Sequence, residues 1–231
     1  MKDKKSTREI LLNNATYLFY DIGFEATTMR LIAEKSGITH PALFHRFKNK
    51  AQIASELIQR FLKGLKRLTE IYTSEEGIDM PDDRALLFYW TAYFHYCRSD
   101  ANLFRFITEF SNSCRYEYDA AQNSFFIDNF GSLISAGQDR DEKDDRLHSE
   151  LITACGDVLA KAVCRGSADI PKAVEEMTNI IYSTAKIPRS CSSEYITAFV
   201  NGIDKKKYLS YSALENFLIT NLDIIHDDYD D

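Results

Sequence analysis

Between Met29 and Lys48 two short amphipathic stretches flank the tetrapeptide Ser36-Gly37-Ile38-Thr39, and this segment constrains the fold more than any other. Two helices that meet at so tight a turn need a small residue where their backbones approach, and Ala33 stands there. The turn needs a residue that accepts positive φ, and Gly37 supplies it four positions later. Ile38, Leu43, Phe44 and Phe47 are placed to anchor the second helix from beneath. Thr39, His40, Ala42 and His45 are left on its outer side, a small and polar face of the kind that lies in a DNA major groove.

The flanking segments agree with this reading. Ser6 and Glu9 have capping-box spacing ahead of a first helix whose apolar face is Ile10, Leu11, Ala15, Leu18, Phe19 and Ile22. Gly23 ends that helix and Phe24 follows as its hydrophobic partner. Thr27 or Thr28 caps the second helix, which reaches about Lys35; Thr39 caps the third, with Pro41 tolerated in its first turn. Asn49 and Gln52 open a fourth helix that continues to about Tyr72. Charge divides the same way: residues 1–70 carry a net +6 and the remainder −13, which together give −7. A basic head on an acidic body presents only one end to a polyanion.

The rest of the chain reads as helix. With only 9 Gly and 4 Pro and no sustained alternation of apolar and polar residues, strands are not expected. Helices are expected near 82–98, 101–115, 118–136, 146–165, 170–186, 192–202 and 210–226, with Asp139–Asp145 as a solvated acidic loop. No apolar run reaches the ~18–20 residues that span a bilayer, and no signal peptide is expected, so the expectation is a cytoplasmic protein without a membrane partner. The five cysteines are scattered and read as free thiols. No catalytic motif is present, His40 and His45 have no carboxylate or cysteine at ligand spacing, and neither enzyme activity, metal nor cofactor is expected.

The run Ile10-Leu11, Ala15, Leu18-Phe19, Gly23-Phe24, Thr27-Thr28-Met29, Ile32-Ala33, Ser36-Gly37-Ile38-Thr39, Leu43-Phe44, Phe47-Lys48-Asn49-Lys50 resembles the N-terminal domain of TetR-type regulators. The resemblance implies an all-α fold: a helix-turn-helix DNA-binding head over residues 1–50, and a long helix leading into a helical effector-binding and dimerisation body over 51–231. It implies a homodimer on a palindromic operator in double-stranded DNA, usually a repressor, released by a small molecule. Carried over position by position, Thr28 and Lys50 meet phosphate and Arg30 lies along the backbone. Thr39, His40, Pro41 and Ala42 face base edges, flanked by His45. Phe44 stands where a tyrosine is usual and Arg46 where a histidine is usual; the guanidinium can recover the contact that the missing hydroxyl loses.

The body is informative in two places. Leu86–Phe130 is dense in aromatics, among them Trp90, Tyr93, Phe94, Phe106, Phe110 and Phe126, as in an ordinary core or as in a pocket for a flat apolar or cationic effector. Apolar stripes at 170–186 (Ile170, Val174, Met177, Ile180, Ile181, Thr184) and 210–226 (Leu214, Phe217, Leu218, Leu222, Ile225) are expected to form the dimer interface. A helical protein-interaction scaffold, or a regulator acting as activator, are the alternative readings.

Overall fold

The computed structural model describes residues 7–78, 83–135, 142–185 and 191–210. Within them are helices α1 (Thr7–Ile22), α2 (Met29–Lys35), α3 (His40–Phe44), α4 (Lys50–Glu75), α5 (Asp83–Ser99), α6 (Ala101–Ser113), α7 (Arg115–Ser135), α8 (Glu142–Cys164), α9 (Ile170–Ala185), α10 (Ser193–Gly202) and α11 (Lys205–Tyr208), and no strand. The acidic stretch expected as loop is helical from Glu142 onward, as the first turn of α8. The Ser6 cap and the 210–226 stripe lie outside the described residues, apart from Ser210.

The chain divides into two compact units. Among the described residues, one takes everything up to Phe61 together with Asp100–Ala121, and the other takes Leu62–Ser99 and Gln122 onward. The divisions fall within α4, between α5 and α6, and within α7.

In the first unit the core face of α1 is Leu11, Leu12, Ala15, Thr16 and Phe19. Ile10 and Ile22, expected on this face, are 38% and 44% exposed. The buried stripe is rotated toward Leu12 and Thr16, and Thr16 is satisfied there by donating to the Leu12 carbonyl at 2.8 Å. Ile32, Leu43 and Phe47 complete the floor beneath α2 and α3, each fully buried, and each contributes about 1.5–3 kcal/mol by leaving water.

The second unit is built on α9, which packs against α5, α8 and α10. Ile170, Val174, Met177 and Ile181 are all at most 7% exposed within the single chain. These four of the six residues in the stripe expected at a dimer interface are enclosed in the unit's own core, while Ile180 and Thr184 are half-buried. Outward apolar residues of this unit include Leu147, Leu151 and Val158 on α8, which are 53%, 46% and 66% exposed.

Candidate nucleic-acid interface

Three local devices set the head. The Thr28 hydroxyl accepts from Leu31 N at 3.2 Å and caps α2, while Thr27 is buried and donates to the Gly23 carbonyl at 2.7 Å. In the turn, Ile38 N donates to the Ala33 carbonyl at 3.1 Å around Gly37, whose φ is +66°. The Thr39 hydroxyl then accepts from Ala42 N at 3.4 Å, which starts α3 one residue before Pro41. Regular helix ends at Phe44, so α3 is one short rigid pedestal with a turn after it.

This pedestal turns the residues expected to meet DNA outward. Thr28, Arg30, Thr39, His40, Pro41, Ala42, Phe44, His45 and Arg46 are all exposed. Phe44 departs from the buried position expected for it: its ring is 43% exposed and meets His40 edge-on at 4.7 Å. Leu43 and Phe47 already fill the space beneath α3, and Phe44, about 100° round the helix from Leu43, is left outside that space against His40. Arg30 pairs with Glu34 at 2.8 Å, but both side chains are more than half exposed. Such a pair is worth little in water and yields readily to a phosphate.

Lys50 is placed differently from the other basic residues. Its ammonium donates to the Phe24 and Thr27 carbonyls at 2.5 and 2.8 Å, with the Glu25 carbonyl at 3.4 Å, and lies 4.1 Å from the Phe24 ring centroid. Partial burial pushes its pKa down, against the attraction of nearby acidic groups. The start of α4 is thereby tied to the loop that leads into α2. At the same end Asn49 accepts from Gln52 N at 2.8 Å and Gln52 accepts from Lys48 N at 2.8 Å.

A second set of ties, which sequence reasoning missed, comes from α6. Arg105 donates to the Tyr20 and Asp21 carbonyls at 2.7 and 2.9 Å, closing the C-terminus of α1. Glu109 accepts from Glu25 N at 2.9 Å, and Asp100 accepts both Leu103 N at 2.9 Å and the Tyr20 hydroxyl at 3.0 Å. Phe106 stacks on Phe19 at 5.3 Å and Phe110 meets Phe24 at 5.1 Å. The i,i+4 pair Arg105 and Glu109 on an otherwise apolar helix was the available signal; the partners lie some 84 residues away in the chain.

Residues 11–57 match the family described as bacterial regulatory proteins, tetR family. The head of this chain is thus similar to those of TetR-type regulators. A curated relative, the HTH-type transcriptional repressor KstR2 of Mycolicibacterium smegmatis, is 43% identical over 60 residues, which cover 26% of this chain and 29% of that protein. The match thus spans less than a third of that relative's length. The uncharacterized HTH-type transcriptional regulator YdgC of Bacillus subtilis is 25% identical over 215 residues, covering 88% of this chain and 96% of that one. Among solved structures, Thermus thermophilus FadR, a TetR-family transcriptional repressor in complex with lauroyl-CoA, superposes with a TM-score of 0.54 at 17% identity. It covers 80% of this chain and 98% of that one, and the likeness establishes the fold.

Within this fold the six aromatics expected around an effector belong to different units. Phe106 and Phe110 belong to the first unit and are consumed in stacking on α1 and its cap, as above. Trp90, Tyr93, Phe94 and Phe126 do gather in the second unit, where Trp90 meets Tyr93 at 5.5 Å, Phe94 at 5.7 Å and Phe126 at 5.6 Å. None of the five cysteines is in a disulfide. Among the described residues no group of His, Cys, Asp and Glu could hold a metal ion, and no helix is long and apolar enough to cross a membrane.

Proposed function

We propose that this chain is a DNA-binding transcription regulator that acts as a homodimer on a palindromic operator, represses, and leaves DNA when a small molecule binds its body. The observation that carries the reading is the head itself: nine small, polar, aromatic or basic side chains exposed around α2 and α3, above a floor of fully buried Leu43 and Phe47. Phosphate contacts would come from Thr28, whose hydroxyl proton remains available after capping, from Arg30 and from Arg46. Base edges would be read by Thr39, His40, Pro41 and Ala42, with Phe44 and His45 at the margin. Lys50 would act on DNA chiefly by fixing the loop before α2, since its ammonium is already spent on carbonyls.

A palindrome needs two copies of α3, and the surface we assign to the second copy is the outer face of α8, with Leu147, Leu151 and Val158. Repression is inferred from KstR2 and FadR, both repressors, and small-molecule response from the lauroyl-CoA bound to the latter. Release would act through α6, whose Arg105, Glu109 and Asp100 hold the end of α1 and the loop after it.

The test is selection of bound sites from random duplex DNA, followed by titration of the winning site against salt. A palindromic site whose affinity falls steeply with salt is expected. A chain that enriches no sequence, or binds without salt dependence, overturns the reading.

A further inference from the structure

The first unit carries an open groove lined by none of the residues expected to meet DNA. It encloses about 390 Å³ between the start of α4 and the start of α7, the size of a small-molecule site. Its α4 side is rich in donors. Asn49 uses its side-chain oxygen on Gln52 N at 2.8 Å, and Gln52 uses its own on Lys48 N at 2.8 Å. Both amide NH2 groups are therefore left to donate. Lys48 adds an exposed ammonium that forms no ion pair among the described residues. On the α7 side stand Tyr116 and the half-buried Glu117. Tyr116 is 77% exposed and makes no ring contact or hydrogen bond among the described residues, so its ring offers a free stacking face.

The two charges stand at different levels of the groove. The Ser55 hydroxyl donates to the Glu117 carbonyl at 3.4 Å, which sets Glu117 level with Ser55. The rise along α4 from Asn49 to Ser55 is ~9 Å. The groove thus has a cation at one end, a carboxylate and an aromatic ring toward the other, and amide donors along the α4 wall. We propose that it binds a nucleoside monophosphate whose base carries an exocyclic amine, adenosine monophosphate above all. Phosphate and amine stand a comparable span apart in such a molecule. The phosphate pairs with Lys48, and the amides of Asn49 and Gln52 donate to phosphate and sugar oxygens. The base stacks on Tyr116 and its amine donates to Glu117. A base with a carbonyl in place of the amine brings a lone pair against the carboxylate and is rejected.

The probes are adenosine monophosphate, inosine monophosphate, which replaces the amine by a carbonyl, and adenosine, which lacks the phosphate. Titrated calorimetrically into the full chain at neutral pH, adenosine monophosphate is expected to bind saturably with a Kd below about 1 mM. Inosine monophosphate and adenosine should each bind about tenfold or more weakly. In Glu117→Gln, whose amide can donate to the carbonyl, the two monophosphates should bind within about twofold of each other. In Lys48→Met, adenosine monophosphate and adenosine should do the same. Tyr116→Ala should weaken all three about tenfold, since stacking is blind to both groups. No saturable heat from adenosine monophosphate, equal binding of the three probes to the parent, or preferences unchanged in Glu117→Gln and Lys48→Met overturns the proposal. The titrations contain no DNA, so their outcome is independent of whether the head binds an operator.

Discussion

Gly23 gives the sharpest quantitative test of how the head is held. Its φ of +91° is one that a side chain adopts with difficulty, and a Cβ built there would lie 2.5 Å from the Glu109 Oε2. Gly23→Ala therefore acts twice. The backbone strain of a left-handed alanine is about 1–2 kcal/mol. The steric part is set by the end of a flexible side chain, which can swing away, but Glu109 then abandons its 2.9 Å bond to Glu25 N. That bond joins a charged acceptor to a backbone donor, and its loss costs about 1.5–3 kcal/mol, discounted to about 1–2 because Glu25 is exposed and water can replace the carboxylate. The total is about 2–4 kcal/mol, to be read from urea unfolding at neutral pH. In a Glu109→Ala background the steric part is already gone, so adding Gly23→Ala should cost only the backbone strain of about 1–2 kcal/mol. Equal losses from Gly23→Ala in the two backgrounds would show that Glu109 does not press on this turn, and the reasoning would fail.

Lys50→Met removes an ammonium from three carbonyls and should lower stability by about 2–3 kcal/mol while weakening DNA binding for all sequences alike; unfolding and binding to the selected and to an unrelated duplex measure both effects. His40→Ala should change the preferred sequence while leaving the unfolding midpoint within about 0.5 kcal/mol of the parent, since the side chain is exposed; repeated site selection checks it. Burial, with the charges of Lys205 and Arg98, lowers the pKa of His95 below the ordinary 6.5, against a hydrogen bond with the Leu209 backbone. The unfolded chain then binds the proton first, so the contribution of His95 to stability is full above 6.5 and is lost as pH falls below it toward the folded value. In His95→Gln the decline of stability with acidification should be shallower over that window, as pH-dependent unfolding will show. Val158→Asp should shift the protein to monomer in sedimentation at micromolar concentration; an unchanged dimer would remove α8 from the interface.

The head was legible because each of its devices is local. Thr28, Thr39, Asn49 and Gly37 act on backbone groups three to five residues away, and spacing alone reveals them. Helix positions in the body were legible for the same reason, from α5 at Asp83–Ser99 to α10 at Ser193–Gly202. What the sequence could not show was which long-range partner an apolar or charged residue would find. Phe106 and Phe110 were grouped with Trp90 because they are near it in the chain, yet their rings are taken by Phe19 and Phe24. Lys50 read as a phosphate ligand because it starts a helix, and its three carbonyl partners lie 23–26 residues upstream. The stripe on α9 and the outward residues on α8 have the same periodicity; only packing distinguishes the helix that is enclosed from the one that is not.

The fully buried floor of Leu43 and Phe47 has a consequence for how such a head changes over time. His45 and Arg46 stand on the far side of it, exposed, and among the described residues neither side chain forms a hydrogen bond or ion pair with the framework. On the proposed function, the letters that address DNA can therefore be rewritten without first re-engineering the plate on which they are mounted. A lineage carrying this head is free to wander among operators in small steps, each intermediate remaining folded, while the residues beneath stay under the separate discipline of packing.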